Sequence, residues 1–81
     1  MRGIYNGNLT LVSSTNPPAF HLPAKINFIN MPKIGDSFVF EHPSDGLCVT
    51  SDVKTTAIDS ETGEHLIQTR NSIYKLQLVE G

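Results

Sequence analysis

Glu64-His65-Leu66-Ile67-Gln68-Thr69-Arg70-Asn71-Ser72-Ile73-Tyr74-Lys75-Leu76-Gln77-Leu78 reads as a strand, a tight reversal and a second strand, and this hairpin decides the fold class. With Asn71-Ser72 as a two-residue turn, Thr69 faces Tyr74, Ile67 faces Leu76 and His65 faces Leu78 on one side. Arg70 with Ile73, Gln68 with Lys75 and Leu66 with Gln77 fall on the other. Side chains alternate between the two faces of a strand, so this register collects one mainly apolar and one mainly polar face. A slip of a single residue would mix them. Upstream, Asp59-Ser60-Glu61-Thr62-Gly63 forms the next loop, with Gly63 free to take the positive φ of a bulged turn. Pairing across it sets Val53, Thr55 and Ala57 opposite Thr69, Ile67 and His65. Three consecutive antiparallel strands are expected, Val53–Ile58, Glu64–Arg70 and Ile73–Val79, with Tyr74, Leu76 and Leu78 buried beside Ile67.

The same logic extends toward the N-terminus. Arg2-Gly3-Ile4-Tyr5 and Leu9-Thr10-Leu11-Val12 flank Asn6-Gly7-Asn8, and Asn-Gly between apolar runs signals a hairpin. Lys25-Ile26-Asn27-Phe28-Ile29 alternates as a strand, and Pro32-Lys33-Ile34-Gly35-Asp36 turns into Ser37-Phe38-Val39-Phe40-Glu41. His42-Pro43-Ser44-Asp45-Gly46 reverses the chain into Leu47-Cys48-Val49-Thr50, which sets Phe40 against Leu47 and Phe38 against Val49. The stretch from Ser13 to Pro23 holds three prolines and is excluded from a sheet interior. Apolar residues keep helical spacing for no more than a turn, so helix is minimal. About six short strands in 81 residues make one domain, 1–81, an all-β antiparallel barrel or half-barrel of SH3-like or OB-like type. A sheet completed in a dimer is the second architecture, because an open edge pairs with other chains. A chain of this size buries only about 60–65% of its unfolded surface, so stability is modest.

Charge and composition exclude several roles. The net charge of −2 is scattered, where a nucleic-acid binder carries a basic stripe. Apolar runs stay far below the ~20 residues of a membrane helix, and Met1-Arg2 leads into a strand pattern in place of a signal peptide. Cys48 is the single cysteine, which forbids an internal disulfide and fits a reducing cytosol.

Candidate chemistry is sparse. Cys48 is a nucleophile only if a nearby histidine lowers its pKa, and beside Leu47 and Val49 it reads as a small core filler. His21, His42 and His65 match no zinc spacing and read as surface or rim residues. Asp45, Asp52, Asp59, Glu61 and Glu64 cluster at turns, where they form turns or solubilise, and they make no acid–base pair. Gly35-Asp36 and Asp45-Gly46 are turn dipeptides, and no glycine-rich phosphate loop opens a helix. The chain therefore reads as non-enzymatic, without metal or cofactor.

Thr50-Ser51-Asp52-Val53, followed by Thr69-Arg70-Asn71-Ser72-Ile73-Tyr74-Lys75-Leu76, resembles the closing segment of small uncharacterised bacterial, plasmid and phage proteins. Those proteins end in a Thr-Ser-x-Val strand and a Thr-x-Asn-Ser-x-Tyr-x-Leu hairpin. The resemblance covers about a third of the chain. It implies a small β-domain from a microbe or its virus and transfers no activity.

Two functions fit these observations. One is a protein-binding module, an inhibitor or regulatory subunit, whose proline-stiffened loop presents Phe20 and Leu22. The alternative is an oligomer that sequesters a small anionic, nucleotide-like ligand between subunits. For that role Thr69, Arg70, Asn71 and Tyr74 form a polar cluster at one barrel end, and Arg2, Arg70 and Lys75 supply positive charge. The plain alternatives are that the Asn71-Ser72 segment is a structural turn and that Phe20 caps the barrel.

Overall fold

Six strands in chain order wind into a closed antiparallel barrel in which every strand pairs with its sequence neighbours and β1 returns to β6. They are β1 Tyr5–Ser14, β2 Ala24–Phe28, β3 Ser37–His42, β4 Gly46–Ile58, β5 His65–Thr69 and β6 Ser72–Leu78. This is the small all-β barrel read from the sequence, and the described residues contain no helix. The computed structural model describes residues 4–16 and 20–79. Arg2, Pro17 and Pro18, read above as an anion contact and as loop stiffeners, lie outside the described residues.

The β5–β6 hairpin has the expected faces with a shifted turn. Ile67 pairs with Tyr74 and His65 with Leu76, which makes Arg70-Asn71 the reversal in place of Asn71-Ser72. The cause is local. Thr69 Oγ1 accepts the Ser72 N–H and donates to the Ser72 carbonyl, each at 3.2 Å, so these two residues close the turn themselves. The pairing moves by two positions, an even number, and each side chain keeps its face. Ile67, Tyr74 and Leu76 are accordingly buried, whereas Leu78, expected inside, is 36% exposed near the barrel rim.

On the β4–β5 side Val53 does face Thr69, but an irregularity between Val53 and Thr55 then sets Thr55 opposite Gln68 and Ala57 opposite Leu66. The β3–β4 hairpin differs more. Phe40 pairs with Cys48 and Val39 with Val49, because Pro43-Ser44-Asp45 forms the loop and Gly46 takes φ +77°. One residue of difference flips the faces of the following strand. Cys48 and Thr50 point inward, and Leu47 and Val49 point outward at 73% and 56% exposure.

Asn6-Gly7-Asn8 is no hairpin. It lies within β1, with Gly7 opposite Ile26 on one side and Leu78 on the other. A Cβ on Gly7 would sit 2.8 Å from Leu76 Cδ1 and 2.9 Å from the Gln77 carbonyl oxygen. The glycine therefore serves close approach of β1 and β6 instead of a turn.

The core holds Leu9, Ile26, Phe28, Phe38, Phe40, Cys48, Val53, Ile67, Tyr74 and Leu76. Phe38 stacks edge-on against Phe28 with centroids 5.2 Å apart and lies tilted against Phe40 at 5.3 Å. The β3–β4 ladder is irregular between Ser37 and Val39, and there the buried Thr50 hydroxyl accepts the Phe38 N–H at 3.1 Å. It donates its own O–H to the Ser51 carbonyl at 2.8 Å, so a side chain repairs the break in the ladder.

Candidate functional site

β4 changes partner halfway along. Its first half, Gly46 to Asp52, pairs with β3, and its second half, from Val53, pairs with β5. Because β5 stops at Thr69, opposite Val53, the far edge of the first half of β4 has no strand beside it among the described residues. A slot of about 550 Å³ runs along that edge. Leu47, Cys48, Val49, Thr50 and Ser51 line it from β4, facing Phe20, Asn71, Ser72 and Tyr74, with Asp45 beside the start of the strand.

The far wall is held by backbone and hydroxyl bonds. The Asn71 carbonyl accepts the Thr15 N–H at 2.9 Å and the Thr15 hydroxyl at 3.2 Å, tying the end of β1 to the turn. Ser14 and Ser72 hydroxyls meet at 2.9 Å below it. Phe20 packs edge-on against Phe40 with centroids 5.1 Å apart and tilted against Tyr74 at 6.4 Å. It is half-buried, so it closes the barrel end more than it projects, and Leu22 packs against the same core.

Of the residues singled out in the sequence, the fold brings Phe20, Asn71 and Tyr74 into the slot lining. Thr69 is buried in turn closure, Leu22 lies against the core, and exposed Arg70 tips the turn outside the lining. Sequence reasoning missed the strand edge itself, together with Leu47 and Val49 as outward residues. Finding it requires knowing where β5 ends relative to β4, which is a long-range fact.

Asp45 organises one end of the slot. Its Oδ2 accepts the His21 N–H at 3.1 Å and stands 3.5 Å from the Nδ1 atoms of both His21 and His42. The His21 N–H is the main reason that the Asp45 carboxyl lies below the ordinary carboxylate range, with the His21 side chain helping and some desolvation opposing. His42, read above as a rim residue, is buried. Its Nδ1 accepts the Ser44 and Asp45 N–H groups at 3.0 and 3.1 Å, so the ring proton sits on Nε2, which donates to the His21 carbonyl at 2.7 Å. The ring thus fastens the loop before β2 to the β3–β4 turn.

Burial raises the Cys48 thiol above its ordinary value, and the Asp45 carboxylate raises it further. Its Sγ donates to the Gly46 carbonyl at 3.5 Å. Such a thiol is protonated and weakly nucleophilic near neutrality. Among the described residues no three His, Cys, Asp or Glu side chains gather to hold a metal. No described helix is long and apolar enough to cross a membrane.

A larger groove, about 710 Å³, lies on the other side of Leu47. It opens where β2 and β3 pair at Asn27 and Glu41, and it is lined by Phe28, Phe38 and Phe40 with Ile4, Ile29 and Val39. Leu47 lines both, so it forms the ridge between them. No family model matches the chain, and no curated protein or solved structure is significantly similar to it.

Proposed function

We propose that this protein is a non-catalytic protein-binding module that holds its partner along the first half of β4. The observation that carries this reading is the strand edge from Gly46 to Asp52, which has no strand on one side among the described residues, with Leu47 and Val49 displayed on its outer surface. Neighbouring apolar side chains beside unpaired backbone are what an association surface offers, since partner burial removes the first from water and satisfies the second. Ile4, Ile29 and Val39 extend the apolar surface across the ridge. The protonated Cys48 thiol supports a role without nucleophilic chemistry. A small inhibitor or regulatory subunit of bacterial or phage origin, working in the cytosol, fits this description. The resemblance of Thr50–Val53 and Thr69–Leu76 to small microbial β-domains adds to that reading.

The anionic-ligand alternative draws less support. Asp45 is the charged residue in the slot lining, and a carboxylate there repels an anion. Arg70 and Lys75 are exposed and lie outside that lining.

Site-specific photo-cross-linking in host cells tests the proposal. A benzophenone amino acid placed at Val49 should give a discrete adduct with one host protein, whereas the same probe at exposed Thr56 should not. Equal labelling at both positions, or none at Val49, would remove the reading. An adduct at Val49 of twice the chain mass would replace it with self-association.

A further inference from the structure

Resting on the reading of β4 as the docking edge, we propose that the occupant is an extended polypeptide segment that adds to β4 as a strand. It runs in line with β5, sets apolar side chains beside Leu47 and Val49, and carries a lysine or arginine at the Asp45 end. Three observations lead there.

The first is hydrogen bonding. The first half of β4 makes its ladder with β3 on one edge, and its other edge faces the slot. Backbone groups on such an edge are satisfied by water or by another strand, and an added strand satisfies them in regular order. The second is alternation. Cys48 and Thr50 are buried and point into the barrel while Leu47 and Val49 point out. An added strand therefore meets apolar neighbours on its outer face and small or polar ones on its inner face. The third is charge. Asp45 is the charged residue in the lining, and it stands at one end of the edge. A cationic side chain placed there complements it, and an anionic one is repelled. Both β3 and β5 run antiparallel to β4, so an occupant continuing the line of β5 places its C-terminal residue near Asp45.

The test uses fluorescein-labelled peptides and the full chain, read by fluorescence anisotropy. The probe is Thr-Val-Thr-Ile-Thr-Lys with blocked ends. Its valine and isoleucine are spaced for Val49 and Leu47, and its lysine for Asp45. The lysine peptide should bind, and its counterpart ending in glutamate should bind roughly fivefold more weakly at low salt. Methylating alternate backbone nitrogens, which deletes the donors but keeps the side chains, should weaken binding at least ~10-fold. Asp45→Asn, which retains an acceptor for the His21 N–H, should bring the lysine and glutamate peptides to similar affinity. Undiminished binding of the methylated peptide would overturn strand addition, and indifference to lysine against glutamate would overturn the charge rule. If no peptide binds while Val49 still cross-links to a host protein, strand addition falls and the broader binding-module reading stands. If the cross-link also fails, both fall.

Discussion

The β1–β6 seam and the first half of β4 solve the same problem in opposite ways. At the seam, strands pair from Gly7 with Leu78 to Ser14 with Ser72, and the Asn6 carbonyl takes the Val79 N–H at 2.8 Å. Gly7 permits the approach by having no Cβ. Along β4 one edge is laddered and the other is left to a slot. The outer side chains there are Leu47 and Val49, where an edge left merely to solvent usually carries charge or proline. The seam is closed by backbone pairing, whereas the edge of β4 keeps apolar side chains in solvent beside a slot.

The strongest way to break this contrast is at the seam. Gly7→Val should cost about 3 kcal/mol or more, because the new side chain meets the Gln77 backbone as well as the movable end of Leu76. In so small a domain that is much of the total stability, and urea denaturation should find the variant largely unfolded. Phe20→Ala comes next, at ~2 kcal/mol, from lost packing on Phe40 and Tyr74 around a half-buried ring. A melting temperature unchanged by Phe20→Ala would mean that the ring presents itself outward. Thr50→Val leaves the Phe38 N–H without its acceptor at a buried position and should cost roughly 1–2 kcal/mol by the same assay.

The smallest stability effects belong to the open edge. Leu47→Ser and Val49→Thr should change stability by no more than ~0.5 kcal/mol while abolishing the Val49-directed interaction in a pull-down. Loss of stability comparable to Gly7→Val would show that these residues serve the fold. Chemistry sharpens the same contrast without altering packing. Asp45 has a folded pKa below its unfolded value, so its contribution is present above the ordinary carboxylate range and lost as pH falls through the folded value. Asp45→Asn should remove that part of the acid dependence in pH-resolved denaturation. The raised Cys48 thiol should react with iodoacetamide at neutral pH more slowly than in the urea-unfolded chain.

How much of this was legible in the sequence depended on parity. The faces of β5 and β6 are readable because a two-residue shift of register leaves alternation intact, so Ile67, Tyr74 and Leu76 face inward whichever pair of residues forms the turn. In the β3–β4 hairpin a one-residue difference, set by Gly46 at positive φ, turned Leu47 and Val49 outward. Nothing local distinguishes those two outcomes, since Leu47-Cys48-Val49 is apolar on both faces. Asn6-Gly7 misled for a related reason. Glycine marks a tight turn and a close strand approach with the same letter, and only the partner, Leu76, tells them apart. Phe20, Asn71 and Tyr74, which loop prolines and turn chemistry single out in the sequence, line the slot. The edge of β4 was not legible, because it is defined by where β5 stops.

Closure by β1 against β6 also governs how fast the barrel forms. Gly7 meets Leu78, so the seam joins residues on the order of seventy positions apart, while the hairpins β3–β4 and β5–β6 join near neighbours. Loop-closure entropy makes the seam the late event, and mutations in it should speed unfolding more than they slow folding. A permuted chain, with Val79 linked to Asn6 and new ends opened between Asp59 and Gly63, converts that distant pairing into a local hairpin. The β4–β5 pairing becomes the distant closure in its place, so the late event should move there while the folding rate changes little, with the slot beside β4 undisturbed.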